Sequence, residues 1–139
     1  MTINEIQDEL IDDFSFYQDW MEKYELIIQM GKELPLIDEE NKKDQFIIKG
    51  CQSKVWLFPE LKDGKLFFTA DSDAVITKGL VSLMVKVLSG HSPKEIADAD
   101  LYFIDQIGLK EHLSPTRANG LLSMVKQMKL YGLALAAKA

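Results

Sequence analysis

The stretch QFIIKGCQSKVWLFPELKDGKLFFTA, residues 45–70, decides the fold. It holds three short apolar runs, Phe46-Ile47-Ile48, Val55-Trp56-Leu57-Phe58 and Leu66-Phe67-Phe68-Thr69. All are rich in β-branched and aromatic residues, which suit a pleated, half-buried surface. Turn signals separate them. Lys49-Gly50-Cys51-Gln52-Ser53 links the first two, and Pro59 through Gly64, with Asp63-Gly64, reads as a hairpin loop between the second and third. The reading is a small antiparallel sheet of about three strands. The runs are apolar on both faces, so helices are expected over much of it.

Outward from this stretch the period changes to helical. Ile3, Ile6 and Leu10, then Phe14, Tyr17, Met21, Tyr24 and Ile28, recur at three and four residues and predict about 30 helical residues with one apolar face, stopping at Gly31. Leu34–Asp44 carries a proline and many charges and reads as a surface loop. Asp73 is the expected N-cap of a helix from Ala74 to Leu88, striped by Ile76, Leu80, Leu83 and Val87 and widened by Val81, Val85 and Leu88. Gly79 inside it costs about 1 kcal/mol relative to alanine, which predicts close packing against a neighbour. Ser92-Pro93-Lys94-Glu95 and Ser114-Pro115 each combine a cap with proline at the first helical position. The last helix should run to the mid-130s, with Leu121, Met124, Met128 and Tyr131 on one side. Helices, then strands, then helices make a single α+β domain over residues 1–139.

Composition narrows the function. The chain has 139 residues and a net charge of -6, which disfavours electrostatic nucleic-acid binding. The charge is uneven: residues 1–44 carry 13 acids against 4 lysines, and residues 45–139 carry 9 acids against 12 basic residues. The acidic stretch reads as a solvated helix face, with a docking surface for a basic partner as the sharper alternative. No basic leader precedes an apolar run, and no stretch reaches the ~20 apolar residues of a membrane span, so a cytoplasmic protein is expected. One cysteine, Cys51, excludes an intrachain disulfide and a multi-cysteine zinc site.

Cys51 is the first candidate for chemistry. Most free cysteines are small buried hydrophobes. Here Gly50 permits a sharp turn, Gln52 and Ser53 are polar, and Lys49 and Lys54 flank the thiol, where cations favour thiolate. A Cys–His hydrolase would need His91 or His112 against the thiol, and both lie near predicted turns. No local ligand spacing supports a metal site. Arg117 is the only arginine among 16 basic residues, so general solubility does not explain it; its planar fork suits a carboxylate.

Three segments then resemble one family. Ile48-Lys49-Gly50-Cys51-Gln52-Ser53-Lys54-Val55-Trp56 is similar to the active-cysteine segment of SufE-type sulfur acceptors. Asp71-Ser72-Asp73-Ala74-Val75-Ile76-Thr77-Lys78-Gly79-Leu80 and Leu113-Ser114-Pro115-Thr116-Arg117-Ala118-Asn119-Gly120 resemble the second and third signatures, in family order. The resemblance implies an α+β fold of SufE and IscU type. It implies a protein that takes persulfide sulfur from a SufS-like, PLP-dependent cysteine desulfurase, stimulates that enzyme, and delivers sulfur to iron–sulfur scaffold proteins. Cys51 would carry the persulfide. Gly50, Gln52, Ser53, Asp73, Lys78 and Arg117 would support the loop or face the partner. PLP would belong to the desulfurase, leaving this chain without cofactor or metal, and either a monomer or a homodimer fits. Cys51 is expected to pack partly against apolar neighbours when free and to swing out on binding. The competing readings are a cysteine-nucleophile hydrolase and a non-catalytic binding module with an inert cysteine.

Overall fold

A computed structural model describes residues 1–137. The chain order is α1 (Ile3–Ser15), α2 (Trp20–Gly31), β1 (Val55–Lys62), β2 (Lys65–Ser72), α3 (Val75–Leu88), α4 (Pro93–Asp98), α5 (Phe103–Ile107), α6 (Leu109–His112) and α7 (Pro115–Ala136). The α+β class is as expected. The sheet, however, has two strands, β1 and β2, antiparallel in a register that pairs Val55 with Ser72 and Lys62 with Lys65. The turn between them is only Asp63-Gly64, both at positive φ. Pro59 lies inside β1 rather than in a loop, tolerated because each strand of a two-stranded sheet is an edge. The first apolar run forms no third strand. Asp44–Phe46 is a 3-10 turn, and Ile47 makes one isolated bridge to Trp56.

The free edge of β2 is closed by irregular chain, which removes an exposed row of polar groups. The amides of Leu66 and Ala70 donate to the carbonyls of His91 and Pro35, and the Phe68 amide donates to Ser89 Oγ at 2.9 Å. Leu34–Asp44 is therefore not a free surface loop: Leu34 and Ile37 are buried, and Leu36 bridges Ala70. Inward, Val55, Leu57, Leu66, Phe68 and Ala70 alternate into the core, where β2 meets α3. Outward, Trp56 and Phe58 are half-covered, Phe58 by the Phe46 ring at 4.9 Å, while Phe67 is exposed. One face of the sheet has helical cover; the other has the 42–47 segment.

The first 30 residues break in two. Thr2 closes a capping box with Glu5 at the start of α1, and Asp19 caps α2 through the Glu22 amide. The break resets the helical phase. Ile3, Leu10 and Phe14 are buried in α1, but α2 buries Ile27 and Met30 and leaves Met21 exposed. Helix α3 is buried nearly all round and packs against α2, β2 and α7. Gly79 touches α2 there, as expected: a Cβ on it would sit 2.3 Å from the Ile27 carbonyl oxygen. Both serine–proline starts hold, with Ser92 and Ser114 accepting from the Glu95 and Arg117 amides.

One fully buried polar side chain ties α1 to α5. Gln7 Nε2 donates to the Asp100 carbonyl at 3.0 Å, and Gln7 Oε1 accepts from the Phe103 amide at 3.1 Å. Gln7→Met keeps the volume but leaves both backbone groups unpaired, at a cost of about 2 kcal/mol. Urea unfolding should show a lower midpoint with an unchanged slope.

Candidate functional site

The segment from Gly50 to Lys54 crosses from the 42–48 stretch into β1, and both ends are pinned. The Ile48 amide donates to the Val55 carbonyl at 2.8 Å. At the other end Lys54 is held from the Asp71-Ser72-Asp73 turn: its amide donates to Asp73 Oδ1 at 3.1 Å, and its carbonyl accepts from Ser72 Oγ at 2.8 Å. Asp73 is thus not the helix cap expected of it. Ala74 occupies the N-cap position without a side-chain bond, because the Asp73 carboxylate is turned to the cysteine loop.

Gly50 has φ +94°, and a Cβ there would fall 2.4 Å from Ser123 Oγ on α7. Glycine meets both demands. The loop lies against the first turns of α7. Cys51 Sγ is 3.5 Å from the Gly120 carbonyl, the distance of a weak S–H···O hydrogen bond. The thiol is half-buried and packs against the main hydrophobic cluster.

A small pocket of about 90 Å³ opens at the thiol, lined by Cys51, Gln52, Ser53, Ala74, Thr77, Leu80, Thr116, Arg117, Gly120 and Met124. The three distant sequence segments therefore converge on one cavity. Of the residues singled out from the sequence, Cys51, Gln52, Ser53 and Arg117 line it. Gly50 and Asp73 shape the loop from outside. Lys78 is elsewhere: with Lys42 it brackets Asp71, at 3.3 and 2.8 Å. Thr77, Leu80, Thr116 and Met124 were not singled out as site residues. Thr77 and Leu80 are one turn apart on α3, and a helical reading of the second signature, extended to its inward face, would have reached them.

The electrostatics differ from the sequence reading in one respect. Burial pushes the Cys51 thiol above its ordinary pKa. The flanking lysines do not offset it: Lys49 is solvent-exposed, and Lys54 Nζ lies over the Trp56 ring, 5.9 Å from its centroid. Asp71 shows the opposite balance. Burial alone would raise its pKa, but the Lys42 and Lys78 ammonium groups and the Ser72 amide outweigh it and hold the carboxyl below its usual range.

In the free chain the thiol is therefore the resting form at neutral pH. Iodoacetamide should alkylate Cys51 several-fold more slowly in the folded chain than in the urea-unfolded chain at about pH 8, since the thiolate is the nucleophile. The folded rate should climb with pH past the point where the unfolded rate has levelled off. The folded state holds the thiol proton more tightly than the unfolded state, so this group takes stability away as pH rises through the thiol range.

Neither histidine lines the pocket. His91 Nδ1 and Nε2 lie 3.3 and 3.0 Å from the Leu88 and Met1 carbonyls. His112 stacks on Trp20 at 4.1 Å, with Nδ1 3.0 Å from the Gly108 carbonyl. Among the described residues no group of three or more His, Cys, Asp or Glu side chains is placed to hold a metal ion. None of the described helices is long and apolar enough to cross a membrane.

The family model for the SufE Fe-S metabolism associated domain matches residues 8–132. The chain belongs to the SufE family. An uncharacterized SufE-like protein of Rhizobium meliloti is 40% identical over 127 residues, covering 88% of this chain and 91% of that one. A second, from Rhizobium etli, is 41% identical over 127 residues, 88% of this chain and 86% of its own length. One from Synechocystis is 36% identical over 125 residues, 90% of this chain and 79% of its own. Among solved structures, a hypothetical protein from Thermus thermophilus shares the fold, with a TM-score of 0.79 at 16% identity over 95% of this chain and 96% of that one. Membership in this family places the chain in Fe–S metabolism.

Proposed function

We propose that this chain is a sulfur carrier: it accepts sulfane sulfur from the persulfide of a PLP-dependent cysteine desulfurase onto Cys51, stimulates that enzyme by clearing its thiol, and passes the sulfur to an iron–sulfur scaffold. The observation that supports this best is the convergence of the three signature segments on one pocket with the chain's only thiol at its mouth. PLP belongs to the desulfurase in this reading, and the present chain contributes no cofactor.

The step is thiol–disulfide chemistry. Cys51 loses its proton, and its thiolate attacks the outer sulfur of the desulfurase persulfide. The new S–S bond forms at Cys51 as the old one breaks, and the desulfurase thiolate leaves with the electron pair. Cys51 then carries the S–SH group. Burial keeps the resting thiol protonated and guards it from oxidation. Contact with the partner has to draw Cys51 out of its pocket, which exposes the sulfur and removes the desolvation that opposes the thiolate. Arg117 stands at the pocket rim on α7, solvent-exposed and without an ion-pair partner among the described residues, and suits a partner carboxylate. The chain has no second thiol to resolve the persulfide as an internal disulfide, so the sulfur leaves by transfer to an external acceptor.

Mass spectrometry after incubation with a cysteine desulfurase and free cysteine tests the reading. The Cys51 peptide should gain the mass of one sulfur atom, reversibly on reduction. An unmodified Cys51 peptide, with the desulfurase turning over, would overturn it.

A further inference from the structure

A second groove lies on the other side of the cysteine loop. It has a volume of about 470 Å³ and is lined by Gln45, Ile47, Lys49, Ser123, Lys126, Gln127 and Leu130. It runs between the 45–49 stretch and the outward face of α7. Ser123, one of its walls, is the residue against which Gly50 is wedged, so the groove begins where the cysteine loop ends.

Its chemistry is one-sided. The two charged residues that line it, Lys49 and Lys126, are both solvent-exposed, and neither has an ion-pair partner within 4.0 Å among the described residues. No Asp or Glu follows Glu111 in the sequence, so α7 carries no acid in a chain that has 22. Along the outward stripe of α7 the residues are Leu122, Lys126, Leu130 and Leu133, spaced by four, four and three. The three leucines are 45%, 47% and 62% exposed. Exposed leucines in register with the unpaired Lys126 form an amphipathic stripe, and apolar exposure of this kind marks an interaction surface.

We infer that this groove and the α7 stripe are the docking surface for an acidic, amphipathic segment of the sulfur-donating desulfurase, with an aliphatic side chain seated between Ile47 and Leu130 and carboxylates at Lys49 and Lys126. The inference rests on the sulfur-carrier reading of Cys51. A donor must bring its sulfur into bonding contact with Cys51, so its footprint includes the ground beside the loop. Of the surfaces there, this groove combines apolar anchors with unpaired charge of one sign. On this inference the acidic first 44 residues lie outside the donor's footprint, since their charge disfavours contact with an acidic segment.

Lys126→Glu and Lys126→Glu/Leu130→Ser test the surface, because both positions are exposed and neither lines the thiol pocket. Affinity for a SufS-type desulfurase should fall about tenfold in the single variant and further in the double. The wild-type affinity should weaken as salt rises, and the single variant should be less sensitive to salt. Lys126→Arg should bind as wild type. Loading of Cys51 from a small-molecule persulfide, and its alkylation rate, should be the same in all four proteins. Wild-type affinity and salt dependence in Lys126→Glu would overturn the inference while leaving the carrier reading intact. Failure of wild-type Cys51 to load from either donor would instead strike the carrier reading.

Discussion

Cys51→Ser is expected to abolish sulfur acceptance and desulfurase stimulation while leaving the fold unchanged. Serine is nearly isosteric, and the contact it gives up is only the weak one between the thiol and the Gly120 carbonyl at 3.5 Å. Cys51 is only half-buried, so the swap removes little packing, and thermal unfolding should move by no more than about 0.5 kcal/mol equivalent. The chemistry has no such tolerance. A hydroxyl does not ionise in the working pH range, and it is not the nucleophile of sulfur exchange. With no second thiol in the chain to substitute, the loss should reach the level without the protein. The measurement is alanine and sulfide production by the desulfurase with and without each variant. Unaltered stimulation by Cys51→Ser would favour a binding module with an inert cysteine. His91→Ala and His112→Ala should be mild, since both rings are engaged away from the pocket; a hydrolase built on either would lose its activity.

Gly79→Ala should be the most damaging single methyl group in the core. The added Cβ would lie 2.3 Å from the Ile27 carbonyl oxygen, 2.5 Å from Ile27 Cγ2 and 2.8 Å from the Ile27 carbonyl carbon. Two of these are backbone atoms of α2, so no rotamer change relieves the overlap and the two helices must separate. Gly31 sits at the same crossing: a Cβ there would be 3.0 Å from the Gly79 amide nitrogen. Overpacking of this kind costs about 3 kcal/mol or more, against a propensity gain of under about 1 kcal/mol from removing a helical glycine. The net is a large fall in stability, read as a lower urea midpoint. The loss should reach the site as well, because α3 carries Thr77 and Leu80 in the cysteine pocket. An alanine variant as stable as the wild type would show that α2 and α3 can shift freely.

The parts of the fold that local chemistry dictates were legible in advance. Both serine–proline caps, the α3 stripe, the close approach at Gly79 and the glycine before Cys51 each follow from short-range rules, and each is present. The failures share another cause. Ile47 had the composition of a strand residue but found one bridge and no ladder, because pairing depends on a neighbouring edge and not on propensity. Phe14 and Met21 fell on one ideal helical face, yet the turn at Phe16–Asp19 rotates α2 so that Met21 faces solvent. Asp73 had the right type and place to cap α3. The Lys54 amide, 19 residues back in sequence, took its carboxylate instead.

For the site, sequence alone determined which thiol could act, that no second one could resolve it, and that one arginine stood apart. These are matters of covalent identity and number, and folding cannot change them. The tertiary structure decided that Cys51 and Arg117, 66 positions apart, line one pocket, that Lys78 pairs with Asp71 rather than joining them, and that the thiol rests protonated despite two neighbouring lysines. Position in space and exposure to water set a side chain's field and its ionisation, and both arise only when distant segments pack together.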